Sequence, residues 1–276
     1  MTLATINTAV RQILPAPHRW IRRAAKFLLI DHPLPAALSP ALPRRLGSER
    51  VWVHPRFIAT PLDVEPHVRR WLHEYLRPGD TFFDVGAYVG WHSIYAARLV
   101  KTHGKVVAFE ASPANAFCLD FHRRKNRLIQ MEVVAAAVAD QPSGELAIHL
   151  LNGGDSTSNS IQFGDAYASS QANQRVTRAT VPRTNLDLQA RRHLPDLVKI
   201  DVEGAELLVL QGAETLMTGR RPPIILAAHP SWLAEGGSPG QILELLHQRG
   251  YEIFDVAGNK ATSLHFDDYL CLPKSW

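Results

Sequence analysis

Three acids each close a short apolar run: Asp84 after Thr81-Phe82-Phe83, Glu110 after Val106-Val107-Ala108-Phe109, and Asp201 after Leu197-Val198-Lys199-Ile200. Short apolar runs of this kind read as buried strands. Open α/β sheets hold their ligands beyond the carboxyl ends of the strands. The three carboxylates are therefore expected along one rim, where they can accept hydrogen bonds and attract cations. Beyond Asp84 the chain reads Val85-Gly86-Ala87-Tyr88-Val89-Gly90-Trp91. Its two glycines lie between an apolar run and a helical pattern, as in a tight strand–turn–helix unit. Such glycines let the backbone approach a ligand, and the helix start offers N–H groups with no partner inside the helix.

Spacing narrows the ligand. A dinucleotide fingerprint, G-x-G-x-x-G, would want a glycine at Tyr88, and no Gly-Lys-Ser/Thr follows to make a phosphate loop of the Walker type. An acid placed directly before the loop repels a pyrophosphate and suits an ammonium group. Glu110 stands 26 positions after Asp84, near the interval of roughly 20 residues at which an acid meets ribose hydroxyls in such folds. A ligand with a ribose at one end and an amino acid at the other satisfies both acids. S-adenosylmethionine is such a ligand.

Around Asp201 the chain reads Lys199-Ile200-Asp201-Val202-Glu203-Gly204-Ala205-Glu206 and continues in a helical pattern through Leu207, Leu208, Leu210, Ala213, Leu216 and Met217. Together with D-V-G-A-x-x-G and F-E-x-S-P, this block resembles the FkbM-type methyltransferases, from about residue 65 to the C-terminus. The resemblance implies an α/β, Rossmann-like, seven-stranded class I methyltransferase sheet. It also implies S-adenosylmethionine as cofactor and methyl transfer, mostly to hydroxyl oxygens of sugars and secondary metabolites. Tyr88 stands where the family usually has Asn, and Ala111 where Pro usually follows the acid. Ala227-Ala228-His229-Pro230 lacks the acid that the family often carries two positions before the histidine.

The cofactor contacts expected are Asp84, Gly86, Ala87, Tyr88 and Gly90 of the glycine loop, Glu110 with Ala111, Asp140 after the third apolar run, and Asp201. Either Asp140 or its neighbours Val138 and Ala139 would face the adenine; an ordinary turn at 140–144 is the other reading of Asp140. Asp201 could take the acceptor's proton, hold the ammonium end of the cofactor, or cap the following helix. His229 ends the fifth strand at the same rim and is the candidate general base, since an imidazole titrates near working pH; a purely structural histidine is the alternative. Glu203 and Glu206 could face the pocket; the other reading of Glu206 is a first-turn acid favoured by the helix dipole. Trp91 and Trp232 could wall the site or pack in the core. No metal-ligand spacing is visible.

The elements that must hold these residues alternate. Strands are expected at 81–85, 105–109, 132–138, 197–201, 223–228, 251–255 and 269–272. Helices are expected at 90–101, 113–127, 206–217 and 239–249. Alternation of this kind argues for a doubly wound sheet, with an extra ribbon pairing 144–150 with 175–181. A two-part chain is expected: a proline-punctuated extension over 1–64, with a basic helix at 19–30, and a cofactor-binding domain over 65–276. The polar stretch 152–160 reads as a lid or as a plain connection.

With 46% hydrophobic and 20% charged residues in 276, the composition is that of a globular protein. A formal charge of +4 without an aromatic-interleaved basic stripe gives no reason to expect a nucleic-acid partner. A small-molecule hydroxyl acceptor is the partner expected. Phe27-Leu28-Leu29-Ile30 is far shorter than the roughly 20 apolar residues of a membrane span, and no secretory leader is visible. The two cysteines, Cys118 and Cys271, read as buried thiols suited to the cytoplasm. Two other classes stay open: a nucleotide-binding oxidoreductase, and a non-catalytic protein that keeps the pocket.

Overall fold

The computed structural model describes residues 40–46, 49–58, 60–62, 64–151, 176–234 and 236–274. The expected basic helix at 19–30 and the polar stretch 152–160 lie outside them. The described residues fall into two compact units: 40–65 with 120–127, and 66–119 with 128–274.

In the smaller unit, β1 (Leu42–Leu46) pairs antiparallel with β2 (Glu49–Val53). The outer side of β2 is bonded by side chains. Asn126 Oδ1 accepts from the Trp52 N–H at 2.8 Å, and Asn126 Nδ2 donates to the Trp52 carbonyl at 2.8 Å. The His54 N–H donates to His122 Nε2 at 2.9 Å. Burial, helped by the Arg56 charge, holds His54 down at a pKa of about 4, so it stays neutral.

The larger unit carries one long sheet and one short one. The long sheet is built from β3 (Thr81–Val85), β4 (Lys105–Phe109) and β5 (Met131–Val134), together with four later strands. The short sheet is β6 (Ala137–Val138), β7 (Glu145–Leu151) and β8 (Val176–Thr184). The later strands of the long sheet are β9 (Leu197–Ile200), β10 (Ile224–Ala228), β11 (Tyr251–Phe254) and β12 (Asp267–Pro273). Its spatial order is β11-β12-β10-β9-β3-β4-β5. Only β12 runs antiparallel, against both β10 and β11. This is the seven-stranded sheet expected from the sequence. Its inner strands are continuous apolar runs because helices cover both faces, and Phe83, Val107, Phe109, Val198 and Leu226 fill the core.

The helices are α1 (Pro66–Tyr75), α2 (Trp91–Val100), α3 (Pro113–Lys125), α4 (Leu186–Ala190), α5 (Glu206–Gln211), α6 (Glu214–Thr218) and α7 (Pro239–Gln248). Local chemistry sets several starts. Pro66, Pro113 and Pro239 open their helices, where a missing N–H is harmless. Ser238 and Gln241 form a reciprocal capping box at α7. Among the described residues no helix is long and apolar enough to cross a membrane.

Two expected elements differ. The run 132–138 is not one strand: it leaves the long sheet after Val134, and Ala137–Val138 pairs with β8. The helix expected over 206–217 breaks at Gly212, where a Cβ would come within 2.1 Å of the Ala139 carbonyl oxygen. The Asp187 carboxylate then caps the restart, accepting from the Thr215 and Leu216 N–H groups at 2.9 and 2.8 Å. Neither feature is written in local periodicity, since both depend on a distant segment.

The chain runs from β3 outward to β5, then returns to lay β9 on the other side of β3. Strand order therefore reverses between β3 and β9. In open α/β sheets the ligand crevice opens at that point.

Candidate active site

A cleft with about 550 Å³ of empty space, open to solvent, lies at this reversal. One side presents Gly86, Tyr88, Glu110 and Ala111; the other presents Asp201 and Glu203. Ala137 and Val138 of β6 and Ile148 of β7 give it an apolar wall. Glu110 and Asp201 thus share one cleft, while Asp84, Ala87, Gly90, Asp140 and His229 do not line it.

The loop after β3 is bonded inward. Gly86 and Ala87 both donate to the Phe109 carbonyl, at 3.0 and 2.9 Å, and Gly90 donates to the Ala87 carbonyl at 2.8 Å. The Tyr88 N–H donates to Glu110 Oε2 at 2.8 Å. These four N–H groups are therefore not the open donors expected from the sequence. The glycines also serve the chain itself: a Cβ on Gly86 would lie 1.7 Å from the Asp201 carbonyl oxygen, and one on Gly90 2.4 Å from Leu119 Cδ1. Tyr88 sits in the left-handed region at φ 54°, where Asn is far better tolerated than a bulky residue.

Glu110 braces this loop. Its Oε1 accepts from the Ser112 N–H at 2.8 Å while Oε2 holds Tyr88. Burial raises its carboxyl to a pKa of about 7, against the pull of the Ser112, Tyr88 and Asn115 hydrogen bonds and with help from the Asp84 charge. Asp84 lies beneath the loop, 1% exposed. The Ser93 hydroxyl donates to its Oδ2, and its buried Oδ1 has no hydrogen-bond partner. Asp140 is turned elsewhere: its carboxylate takes the Gln141 amide at 2.9 Å and lies 3.8 Å from Arg183. Its neighbour Val138 is the residue that reaches the cleft.

The other side is a charged cluster. Lys199, 2% exposed, donates to Asp201 Oδ2 at 2.8 Å. The turn after β9 passes through left-handed Glu203 (φ 53°) and Gly204 (φ 103°). A Cβ on Gly204 would lie 2.0 Å from the Trp232 carbonyl oxygen. Glu206, fully buried, accepts from the Gly204 N–H at 2.9 Å and pairs with His229 Nδ1 at 2.7 Å, both through Oε1. His229 thus has an acidic partner on α5, although its own strand carries none. Nε2 of His229 faces Glu203 Oε2 at 3.6 Å and Asp201 Oδ1 at 3.9 Å. Glu206 meets an imidazole 23 residues away, a pairing that no local spacing signals.

Burial alone would lower the imidazole's pKa, but the Glu206 hydrogen bond and the charges of Glu206, Glu203 and Asp201 outweigh it and raise His229 to about 9. An imidazole held in that state carries its proton at neutral pH and donates rather than accepts. Glu203 is raised to about 8 by burial, against the attraction of His229 and with repulsion from Asp201 and Glu206. Trp232 stacks on His229 at 5.2 Å between ring centroids. Phe266, 60% exposed, stands edge-on to both rings at 4.9 and 5.0 Å. Trp91 is buried in α2 and does not line the cleft. Asp201, Glu203 and His229 each offer one ligating atom, all within 4.8 Å of one another, a set that sequence spacing did not show.

The chain is similar to the methyltransferase FkbM from Methylobacillus flagellatus KT, at 14% identity and TM-score 0.45 over 98% of this chain and 58% of that one. It therefore spans somewhat more than half the length of that protein. It is also similar to a precorrin-6y C5,15-methyltransferase from Geobacter metallireducens GS-15, at 14% identity and TM-score 0.42, covering 77% of this chain and 89% of that one. A SAM-dependent methyltransferase from Aquifex aeolicus matches at 15% identity and TM-score 0.41, covering 76% and 95%. No curated protein sequence matches the chain. The family profile described as "Methyltransferase FkbM domain" matches residues 84–253, and the chain belongs to that family.

Proposed function

We propose that this chain transfers the methyl group of S-adenosylmethionine to a hydroxyl oxygen of a sugar or secondary metabolite. The observation that carries the reading is the shared cleft: Glu110 and Asp201 face it from opposite sides of the strand-order reversal. The residues fit the cofactor. Glu110 keeps acceptor capacity for ribose hydroxyls beside the two N–H groups it already holds. Val138 and Ile148 suit the flat, apolar face of an adenine.

Bound there, the sulfonium supplies a methyl group already activated for in-line displacement. The chain's work is then to align the acceptor oxygen, exclude water and take one proton. Asp201 is the carboxylate in the cleft for that proton, steadied by Lys199. Phe266, beside Trp232 and His229, offers an apolar edge on which the CH face of a sugar ring can rest. The buried thiols Cys118 and Cys271, in no disulfide, support a reducing compartment.

Calorimetric titration with S-adenosylhomocysteine tests the cofactor half. Wild type binds, and Glu110→Ala weakens binding by about 1–3 kcal/mol; equal affinities would remove Glu110 from the site. Incubation with methyl-labelled cofactor and hydroxylated acceptors, followed by mass spectrometry of the product, tests the other half. A label found on nitrogen or carbon would overturn the hydroxyl assignment.

A further inference from the structure

We propose that Asp201, Glu203 and His229 form a binding site for a divalent first-row transition-metal cation on the charged side of the cleft. There the ion takes the acceptor's oxygen as a further ligand and acidifies it, so that with metal bound the hydroxyl proton leaves to water rather than to Asp201. The acceptor's place on the ion rests on the methyl-transfer reading; the metal site itself does not.

Placement is the first argument. β9 and β10 are adjacent and parallel, and Ile200 opposes Leu226. Three residues further along each strand's path stand Glu203 and His229. The three side chains therefore issue from neighbouring ends of one sheet, which is rigid support. Nε2 of His229 lies 3.6 Å from Glu203 Oε2 and 3.9 Å from Asp201 Oδ1. Donors that sit about 2.0–2.2 Å from one ion stand about 3–4 Å from each other. The observed spacing needs little adjustment.

Orientation of the histidine is the second argument, independent of the acids' proximity. His229 is 6% exposed. Its Nδ1 is gripped by Glu206 at 2.7 Å, while Nε2 makes no hydrogen bond and points at the two carboxylates. Metal-binding histidines are characteristically held this way, with a carboxylate on the nitrogen away from the metal. Lys199 occupies the other oxygen of Asp201, Oδ2, so Oδ1 is left turned toward His229.

Charge and donor type give the class of ion. Lys199 balances Asp201, and Glu203 and Glu206 add further carboxylates around the imidazole. One imidazole nitrogen with two carboxylate oxygens suits Mn²⁺ through Zn²⁺ rather than thiol-seeking ions, and the ion displaces to solvent the protons that His229 and Glu203 carry without it. Asp201 and Glu203 line the cleft, so the remaining coordination positions open onto it.

The test uses the full chain, stripped of metal by chelator and dialysis, with Co²⁺ alone as probe. Wild type is expected to bind one equivalent, with a visible ligand-field band that Zn²⁺ abolishes by displacement. Asp201→Asn and His229→Gln each weaken Co²⁺ binding at least tenfold, and Glu206→Gln weakens it by about 10–100-fold through loss of the histidine's orientation. Thermal melting and S-adenosylhomocysteine titration of the same variants report folding and the cofactor half separately. No band at saturating Co²⁺, or equal Co²⁺ binding by wild type and a folded Asp201→Asn variant, overturns the site. Either result would assign the cluster to proton and Lys199 pairing and leave the methyl-transfer reading standing.

Discussion

The two sides of the cleft are built alike and charged differently. Each is a strand, a turn with a left-handed non-glycine residue, a glycine that clears a backbone carbonyl, and a helix. Tyr88 and Gly86 play these parts on one side, Glu203 and Gly204 on the other. Each has a buried acid whose oxygens hold the turn's own N–H groups: Glu110 holds Tyr88, and Glu206 holds Gly204. The difference lies in what else the acid grips. Glu110 takes a second backbone N–H, from Ser112, whereas Glu206 takes an imidazole. The first side is therefore a brace for a binding loop. The second assembles five ionisable side chains, Lys199, Asp201, Glu203, Glu206 and His229, within reach of the same cleft. The same local architecture yields a holder or a reactive group according to one distant partner.

Substitutions can break this pairing in order of severity. Glu206→Ala strips the buried partner from His229 and should lower stability by about 3–5 kcal/mol, measured by urea denaturation; Glu206→Gln, which keeps an acceptor for Gly204, should lose much less. Gly86→Ala and Gly204→Ala come next. Each drives a Cβ to 2.0 Å or less from a backbone carbonyl oxygen, and each should cost about 3 kcal/mol or more, a fall in Tm of roughly 6–12 °C. Gly258 shares the positive φ, at 87°, but has nothing within 4 Å of its Cβ position. Gly258→Ala should therefore lose only the left-handed penalty of about 1–2 kcal/mol. Equal losses at all three glycines would show that conformation, not the passing carbonyl, sets the requirement.

Glu110 separates the two acids by pH. Its folded pKa of about 7 stands above the ordinary 4.5, so between those values the folded chain keeps a proton that the unfolded chain has lost. The contribution to stability is full below about pH 4.5 and is lost as the pH rises through about 7, a change of about 3 kcal/mol for the unliganded protein. Glu110→Gln should flatten the melting temperature over that window. Ribose hydroxyls donate to the ionised carboxylate, so affinity for S-adenosylhomocysteine should climb from pH 6 to 8 in wild type and stay level in Glu110→Gln. Smallest is Tyr88→Asn, which places a residue tolerant of the left-handed region at φ 54° and should stabilise the chain by about 1 kcal/mol. A loss instead would mean that the tyrosine ring's packing in the cleft outweighs its backbone strain.

Much of the first side was legible in the sequence. The apolar runs ending at Val85 and Phe109 are strands within a residue of where periodicity puts them, and Glu110 reaches the cleft as its offset from Asp84 suggested. The reason for the glycines was not legible: a clash with the Asp201 carbonyl cannot be seen until β9 lies beside β3. Nor was the fate of the loop's N–H groups, because their acceptor, the Phe109 carbonyl, is on another strand. The second side was legible only as a strand, an acid and a helix. Its defining contact joins Glu206 to His229 across a connection whose length carries no direction.

Chain-local chemistry settles where each apolar run ends, which turn follows it, and which residue type stands at the strand's tip. Those follow from side-chain size, periodicity and backbone freedom over a few residues. Tertiary structure alone decided which tips meet. Adjacent strands lie about 4.8 Å apart, so the register that sets Ile200 against Leu226 brings Asp201, Glu203 and His229 within a few ångströms. One strand order the other way would have left the same residues on opposite edges of the sheet.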